Sequence, residues 1–258
     1  MKKSIAFSGK GGVGKTTILI LFLKYLIEKN ENKRILVIDA DPDANIADRL
    51  GINLDFYDTI AGKMQLLMYK INRETIAPYA SNRQAIEAEI LPSIIHMKDF
   101  DLLEMGRSEG IGCYCSVNNV LKNTIDLISE DYNYILFDSP AGLEHFARKT
   151  GKDVTDLLIV VGPSKMALHT LERILIVSKD VSLKFNNYWV LGNKYSENNK
   201  DFLVQKLKEI EEPQIKLLGF IPQDNELMKY NFLNDNLLKI SNENGAYKEI
   251  KKIFSIII

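Results

Sequence analysis

Glycine recurs at alternate or adjacent positions through Gly9-Lys10-Gly11-Gly12-Val13-Gly14-Lys15-Thr16, which fits the pattern G-x-x-x-x-G-K-[ST]. So many glycines weaken a helix or a strand, but they suit a turn whose successive N–H groups line one concave side. The flanks fix the setting. Ser4–Ser8 is a short apolar run, and Thr16–Glu28 has an amphipathic helical pattern. A strand, a glycine-rich loop and a helix in that order aim the helix N-terminus at an anion. In such a loop the backbone of Gly9, Gly11, Gly12, Val13 and Gly14 wraps phosphates, and Lys15 bridges the β- and γ-phosphates. The Thr16 hydroxyl is the expected Mg²⁺ ligand, with Thr17 beside it. A nucleoside triphosphate with Mg²⁺ is therefore the first expectation.

The rest of the chain repeats the alternation. Strand-like runs rich in Val and Ile occur at Arg34–Asp39, Asp101–Met105, Tyr134–Asp138, Leu157–Gly162, Tyr188–Gly192 and Leu217–Ile221. Several are apolar on both faces, as in a parallel sheet covered on both sides. Helical patterns, including Val117–Ser129 and Asp201–Glu209, separate them. The predicted fold class is α/β: a doubly wound, mostly parallel sheet with helices on both faces. Asp55–Lys98 fits poorly and reads as a helical excursion. With no Pro/Gly/Ser-rich linker or internal repeat, residues 1–258 are expected to form a single domain.

The formal net charge of −1 gives no bulk attraction to nucleic acid or anionic lipid. Neither partner is expected. The longest apolar stretch, Ile18 to Ile27, contains Lys24 and is too short to span a bilayer. The amino-terminal Lys-Lys and apolar start run into the glycine loop, which breaks a signal-type core. A soluble, cytoplasmic protein is expected.

Lys10 narrows the class. Gly-Lys-Gly-Gly-Val-Gly-Lys-Thr-Thr resembles the deviant Walker A loop of the Min/Par and nitrogenase iron-protein superfamily of dimeric ATPases. The resemblance implies that Lys10 reaches the partner's nucleotide, where a cation supplied in trans stabilises charge on the transferring phosphoryl group. Asp39-Ala40-Asp41-Pro42-Asp43-Ala44-Asn45 resembles that superfamily's switch I. It implies that Asp41 positions or activates the attacking water and that Asp39 holds Mg²⁺ through water. Asp43 reads instead as a helix N-cap. Tyr134–Asp138 is an apolar strand ending in an acid, so Asp138 belongs to the Mg²⁺ shell. The Gly142 amide in Ser139-Pro140-Ala141-Gly142 would sense the γ-phosphate.

The base is read by resemblance too. Asn193, with Lys194, stands where the superfamily carries its adenine-reading Asn, and Gly219-Phe220-Ile221-Pro222-Gln223-Asp224 resembles the I-P-x-D adenine loop, giving Pro222 and Asp224. No N-K-x-D guanine signature follows Asn193, so ATP is favoured over GTP.

Both cysteines of the chain fall in Gly112-Cys113-Tyr114-Cys115. Chance would place two cysteines so close on the order of once in a hundred chains. Two thiolates are too few for a closed metal site, but a symmetric dimer supplies four. Tetrahedral Cys₄ suits Zn²⁺, and a square-planar arrangement suits Ni²⁺. The plain alternative is a pair of loop cysteines; a redox pair is disfavoured because C-x-C lacks the thioredoxin spacing. With Glu104-Met105-Gly106-Arg107 and Ala141-Gly142-Leu143-Glu144-His145, this pair resembles the carbon monoxide dehydrogenase accessory ATPases. That resemblance implies a homodimer with the metal at its interface, and a client nickel enzyme, carbon monoxide dehydrogenase.

Two other readings stand beside it. An iron-protein-like electron carrier needs a second cysteine seven residues after Asp138, where this chain has His145. His96 and His169 read as structural. A Min/Par-type positioning ATPase acting on membrane or DNA draws support from the basic, apolar tail Lys248–Ile258. The plainer reading of that tail is a last helix packing Ile250, Ile253 and Phe254 on the core.

Overall fold

The structure is a computed structural model that describes residues 2–29, 32–41, 46–72, 86–107, 114–140, 154–180, 185–210, 214–233 and 235–258, with backbone alone at 71–72, 86–87, 114–116, 118 and 179–180. The strands are β1 (Lys3–Ser8), β2 (Ile35–Asp39), β3 (Ile95–His96), β4 (Asp101–Glu104), β5 (Tyr134–Asp138), β6 (Asp156–Val161), β7 (Asn187–Asn193) and β8 (Ile215–Ile221). They form one sheet in the order β3-β4-β2-β5-β1-β6-β7-β8. β3 runs antiparallel to β4, and the other neighbours are parallel.

The expected α/β class and its predicted strands are present. The continuous apolar runs are explained by burial on both faces: Ile5 to Phe7, Leu36 to Ile38 and Leu157 to Ile159 are fully enclosed. β3 was not foreseen. Two residues carry no periodicity, and only the turn back to β4, closed by Met97 N–H to the Phe100 carbonyl, makes them a strand.

The helices are α1 (Lys15–Lys29), α2 (Ile46–Leu50), α3 (Ile60–Asn72), α4 (Tyr114–Ile128), α5 (Lys165–Asp180), α6 (Lys200–Glu209), α7 (Asn225–Leu233) and α8 (Gly245–Phe254). The amphipathic reading of α1 needs correction: Ile18 through Leu23 are all buried, so no side of this stretch faces water. A helix enclosed all round sits between layers. Its outer side is covered by α8, whose Phe254 ring lies 4.2 Å from Phe22, and by Leu238, whose carbonyl accepts from Lys24 Nζ at 2.9 Å. Ile250, Ile253 and Phe254 are buried in that contact, so the tail packs on the core. Among the described residues no helix is long and apolar enough to cross a membrane.

The excursion after Asp55 has a positional role. The Ala61 N–H in α3 bonds the Met105 carbonyl just beyond β4 at 3.0 Å. Gly106 turns there at φ +72°, where an added Cβ would lie 2.3 Å from Thr59 Oγ1. β1 leads to β2 on one side of it, whereas its neighbour β6 leads to β7 on the other. Ligands bind at such a reversal, outside the carboxyl ends of the strands.

Candidate functional site

The glycine loop occupies that reversal. Gly9 has φ +144°, and a Cβ there would lie 2.3 Å from the Val160 carbonyl on β6, so the loop can leave β1 only with glycine. Two residues at the end of β7 hold the loop from the other side. Asn193 Nδ2 donates to the Val13 carbonyl at 2.7 Å, and Lys194 Nζ donates to the Gly12 carbonyl at 3.1 Å. Gly14 is required by the same approach, since its Cβ would meet Asn193 Nδ2 at 2.6 Å. Asn193 is thus a tie for the loop and keeps its carboxamide oxygen and a second N–H for other bonds.

Three parallel strands end in acids side by side, Glu104 on β4, Asp39 on β2 and Asp138 on β5. Asp39 is fully enclosed and accepts from the Asp41 and Ile46 backbone N–H groups, both at 3.0 Å. Burial pushes its carboxyl well above the ordinary 3.8, the charges of Asp138 and Glu104 push the same way, and the two N–H bonds oppose them. Burial likewise raises Asp138 to about 6, against the Thr16 hydrogen bond and the Lys15 charge. Glu104 is raised by burial although it accepts from Ala47 N–H at 2.9 Å. Glu104 carries the same mark as Asp39 and Asp138, an acid closing an apolar strand, and that mark could have found it in the sequence.

This donor set fits a divalent cation. Thr16 Oγ1 donates to Asp138 Oδ2 at 2.5 Å, and Asp138 Oδ1 is buried with no hydrogen-bond partner among the described residues. Crowded carboxylates with raised proton affinity, beside a hydroxyl, are where Mg²⁺ would be held. Among the described residues no group of three or more His, Cys, Asp or Glu forms a metal cluster.

Above these acids opens a crevice of about 500 Å³. It brings together Gly11, Gly12, Gly14, Lys15, Thr16, Thr17, Asp41, Asn193, Lys194, Pro222 and Asp224 from the sequence-predicted set. Gly9, Val13, Asp39 and Asp138 are buried and are not among the lining residues. Lys10 is half-exposed and is not among the lining residues. Asp224 is already engaged: Oδ1 accepts from Leu227 N–H at 2.9 Å, and Asn244 Nδ2 donates to both of its oxygens. Sequence reasoning gave no role to Arg49 on α2 or Asn231 on α7, which also line the crevice. Neither sits in a motif, and only the chain's return across the sheet brings them here. Pro42, Asp43, Cys113, Gly142 and His145 lie outside the described residues, as does the side chain of Cys115. His96 and His169 make surface contacts with Asp101 at 2.7 Å and Glu172 at 3.4 Å.

A glycine loop at the sheet's reversal, a buried lysine at a helix start and paired acids at strand ends define a P-loop ATPase, an enzyme that hydrolyses ATP. Residues 2–190 match the family described as AAA domain, and the chain belongs to that family. It is 34% identical over 254 residues to the uncharacterized ATP-binding protein MJ0685 of Methanocaldococcus jannaschii, covering 98% of each chain. It is 28% identical to the carbon monoxide dehydrogenase accessory protein CooC of Rhodospirillum rubrum, over 86% of this chain and 84% of that one. The fold is similar to that of the septum site-determining protein MinD of Pyrococcus horikoshii OT3, whose structure is complexed with Mg-ADP: TM-score 0.69, 21% identity, 100% of this chain and 96% of the other.

Proposed function

We propose that this ATPase is a dimeric maturation factor that couples its nucleotide to a metal ion shared by Cys113 and Cys115 of two subunits, Ni²⁺ or Zn²⁺, and serves nickel insertion into a client of the carbon monoxide dehydrogenase kind. One observation carries the coupling. The chain leading into the cysteine segment is bonded to switch I by Met105 N–H to the Asp39 carbonyl at 2.9 Å, and to α2, just after switch I, by Ala47 N–H donating to Glu104 Oε1. A change at the Asp39–Asp41 turn therefore pulls on the start of the segment that holds both cysteines. The likeness to the Rhodospirillum accessory protein supports the choice of client.

In this reading Lys15 and the loop amides bind the phosphates, and Thr16, Asp138 and Asp39 would hold Mg²⁺, which would supply neutralising charge to the phosphates. Asp41 orients the attacking water. Lys10, which is not among the residues lining its own crevice, completes the partner's site. The Gly142 amide senses the terminal phosphate, and Asn193, Lys194, Pro222 and Asp224 surround the base.

The positioning alternative loses its one sequence feature. The apolar face that a membrane-binding tail would need is buried against α1 and β8. The test is metal content of the anaerobically purified protein, with and without ATP. About one ion per dimer is expected, with nucleotide altering its retention. The double variant Cys113→Ser/Cys115→Ser should lose the ion and still bind ATP. Wild-type metal content in that variant overturns the proposal. A dimer that never holds metal favours the positioning reading.

A further inference from the structure

Asn231 joins two elements across the crevice. Thr17 Oγ1, in the first turn of α1, donates to Asn231 Oδ1 at 3.1 Å, and Arg49 Nη1 donates to the same oxygen. The Arg49 guanidinium therefore stands one side-chain amide away from the phosphate loop. It is also attracted to Asp138, the acid that meets Thr16. That places it near Thr16, Asp41 and Asp138, which, on the reading proposed above and on which this inference rests, is the end of the terminal phosphate. Three cations line the crevice among the described residues: Lys15, Lys194 and Arg49. Lys194 is tied to the Gly12 carbonyl, and Lys15 is the loop's own lysine. Arg49 has no counterpart in the P-loop or switch patterns.

We infer that Arg49 is a phosphate-contacting residue supplied in cis: it exchanges its bond to the neutral Asn231 oxygen for the γ-phosphate of bound ATP. The exchange is favoured because a guanidinium binds a phosphate oxygen as a charge-assisted pair, stronger than its bond to an amide. Burial already lowers the proton affinity of this guanidinium, so an anion at its side relieves an unfavourable setting. Releasing Asn231 also frees α7 from α2, so the ATP and ADP forms differ in how these two helices are joined.

The experiment is titration of the full-length protein with ADP and with a non-hydrolysable ATP analogue, both with Mg²⁺ and at one protein concentration. Arg49→Ala should weaken the triphosphate by about tenfold to a hundredfold, the range of a charge-assisted bond, and ADP by less than about threefold. Arg49→Lys should recover part of the triphosphate preference. Asn231→Ala, which removes the holding partner but not the cation, should keep the preference for triphosphate over ADP, whatever it costs both nucleotides together. If Arg49→Ala weakens both nucleotides in equal proportion, or Asn231→Ala reproduces its loss of triphosphate preference, Arg49 is only a tie between helices and the inference is overturned.

Discussion

Asp138→Asn tests the electrostatics of the site without changing its shape. Burial pushes the enclosed Asp138 carboxyl up to about 6 from the ordinary 3.8. Its charged form is therefore less favourable when folded than when unfolded by about 3 kcal/mol, at about 1.4 kcal/mol per tenfold. A folded acid with raised affinity binds its proton where the unfolded chain has lost it. Stability is thus full below about pH 4 and falls as pH rises through about 6. Asparagine keeps an oxygen to accept the Thr16 hydroxyl and carries no charge. Urea unfolding of the nucleotide-free protein at about pH 7.5 should find Asp138→Asn more stable than wild type by up to about 3 kcal/mol. The gain should fall to about half by pH 5, because wild type is largely protonated there. Asp39, also raised, leaves a residual pH dependence in both proteins. With Mg²⁺ and ATP the order should reverse, since the variant has lost a ligand-sphere charge. A variant no more stable than wild type at pH 7.5, or a gain that does not shrink with acid, refutes the reasoning.

Two further outcomes follow from the fold and the proposed dimer. Mixing Lys10→Ala with Lys15→Ala should restore turnover in mixed dimers, because the first subunit binds ATP and the second supplies Lys10; inactive mixed dimers, verified as such, count against action in trans. Phe254→Ala, at a fully buried ring 4.2 Å from Phe22, should cost roughly 3–5 kcal/mol in urea unfolding, and a loss under about 1 kcal/mol would mean that α8 is not part of the core.

How much was legible follows from how local each cause is. The glycine loop, the apolar strands and the acids that end them are written in consecutive residues, because sterics, pairing and burial act over a few positions. The α/β class and the glycine-loop residues that line the crevice could therefore be read directly from the sequence, whereas Asn193, Lys194, Pro222 and Asp224 were expected there by resemblance. α1 was misread for a non-local reason: its pattern shows one apolar face, and the second cover comes from α8, more than two hundred residues later in the chain. Asn193 was legible as a site residue, but its bond to the Val13 carbonyl depends on the register of β7 beside β6 and β1. Arg49 and Asn231 carried no signal, since no spacing rule relates a short helix after β2 to one after β8. The sequence by itself determined the phosphate loop and the layered fold. Only the tertiary structure decided which cations and amides close around that loop, because those contacts arise from strands brought side by side.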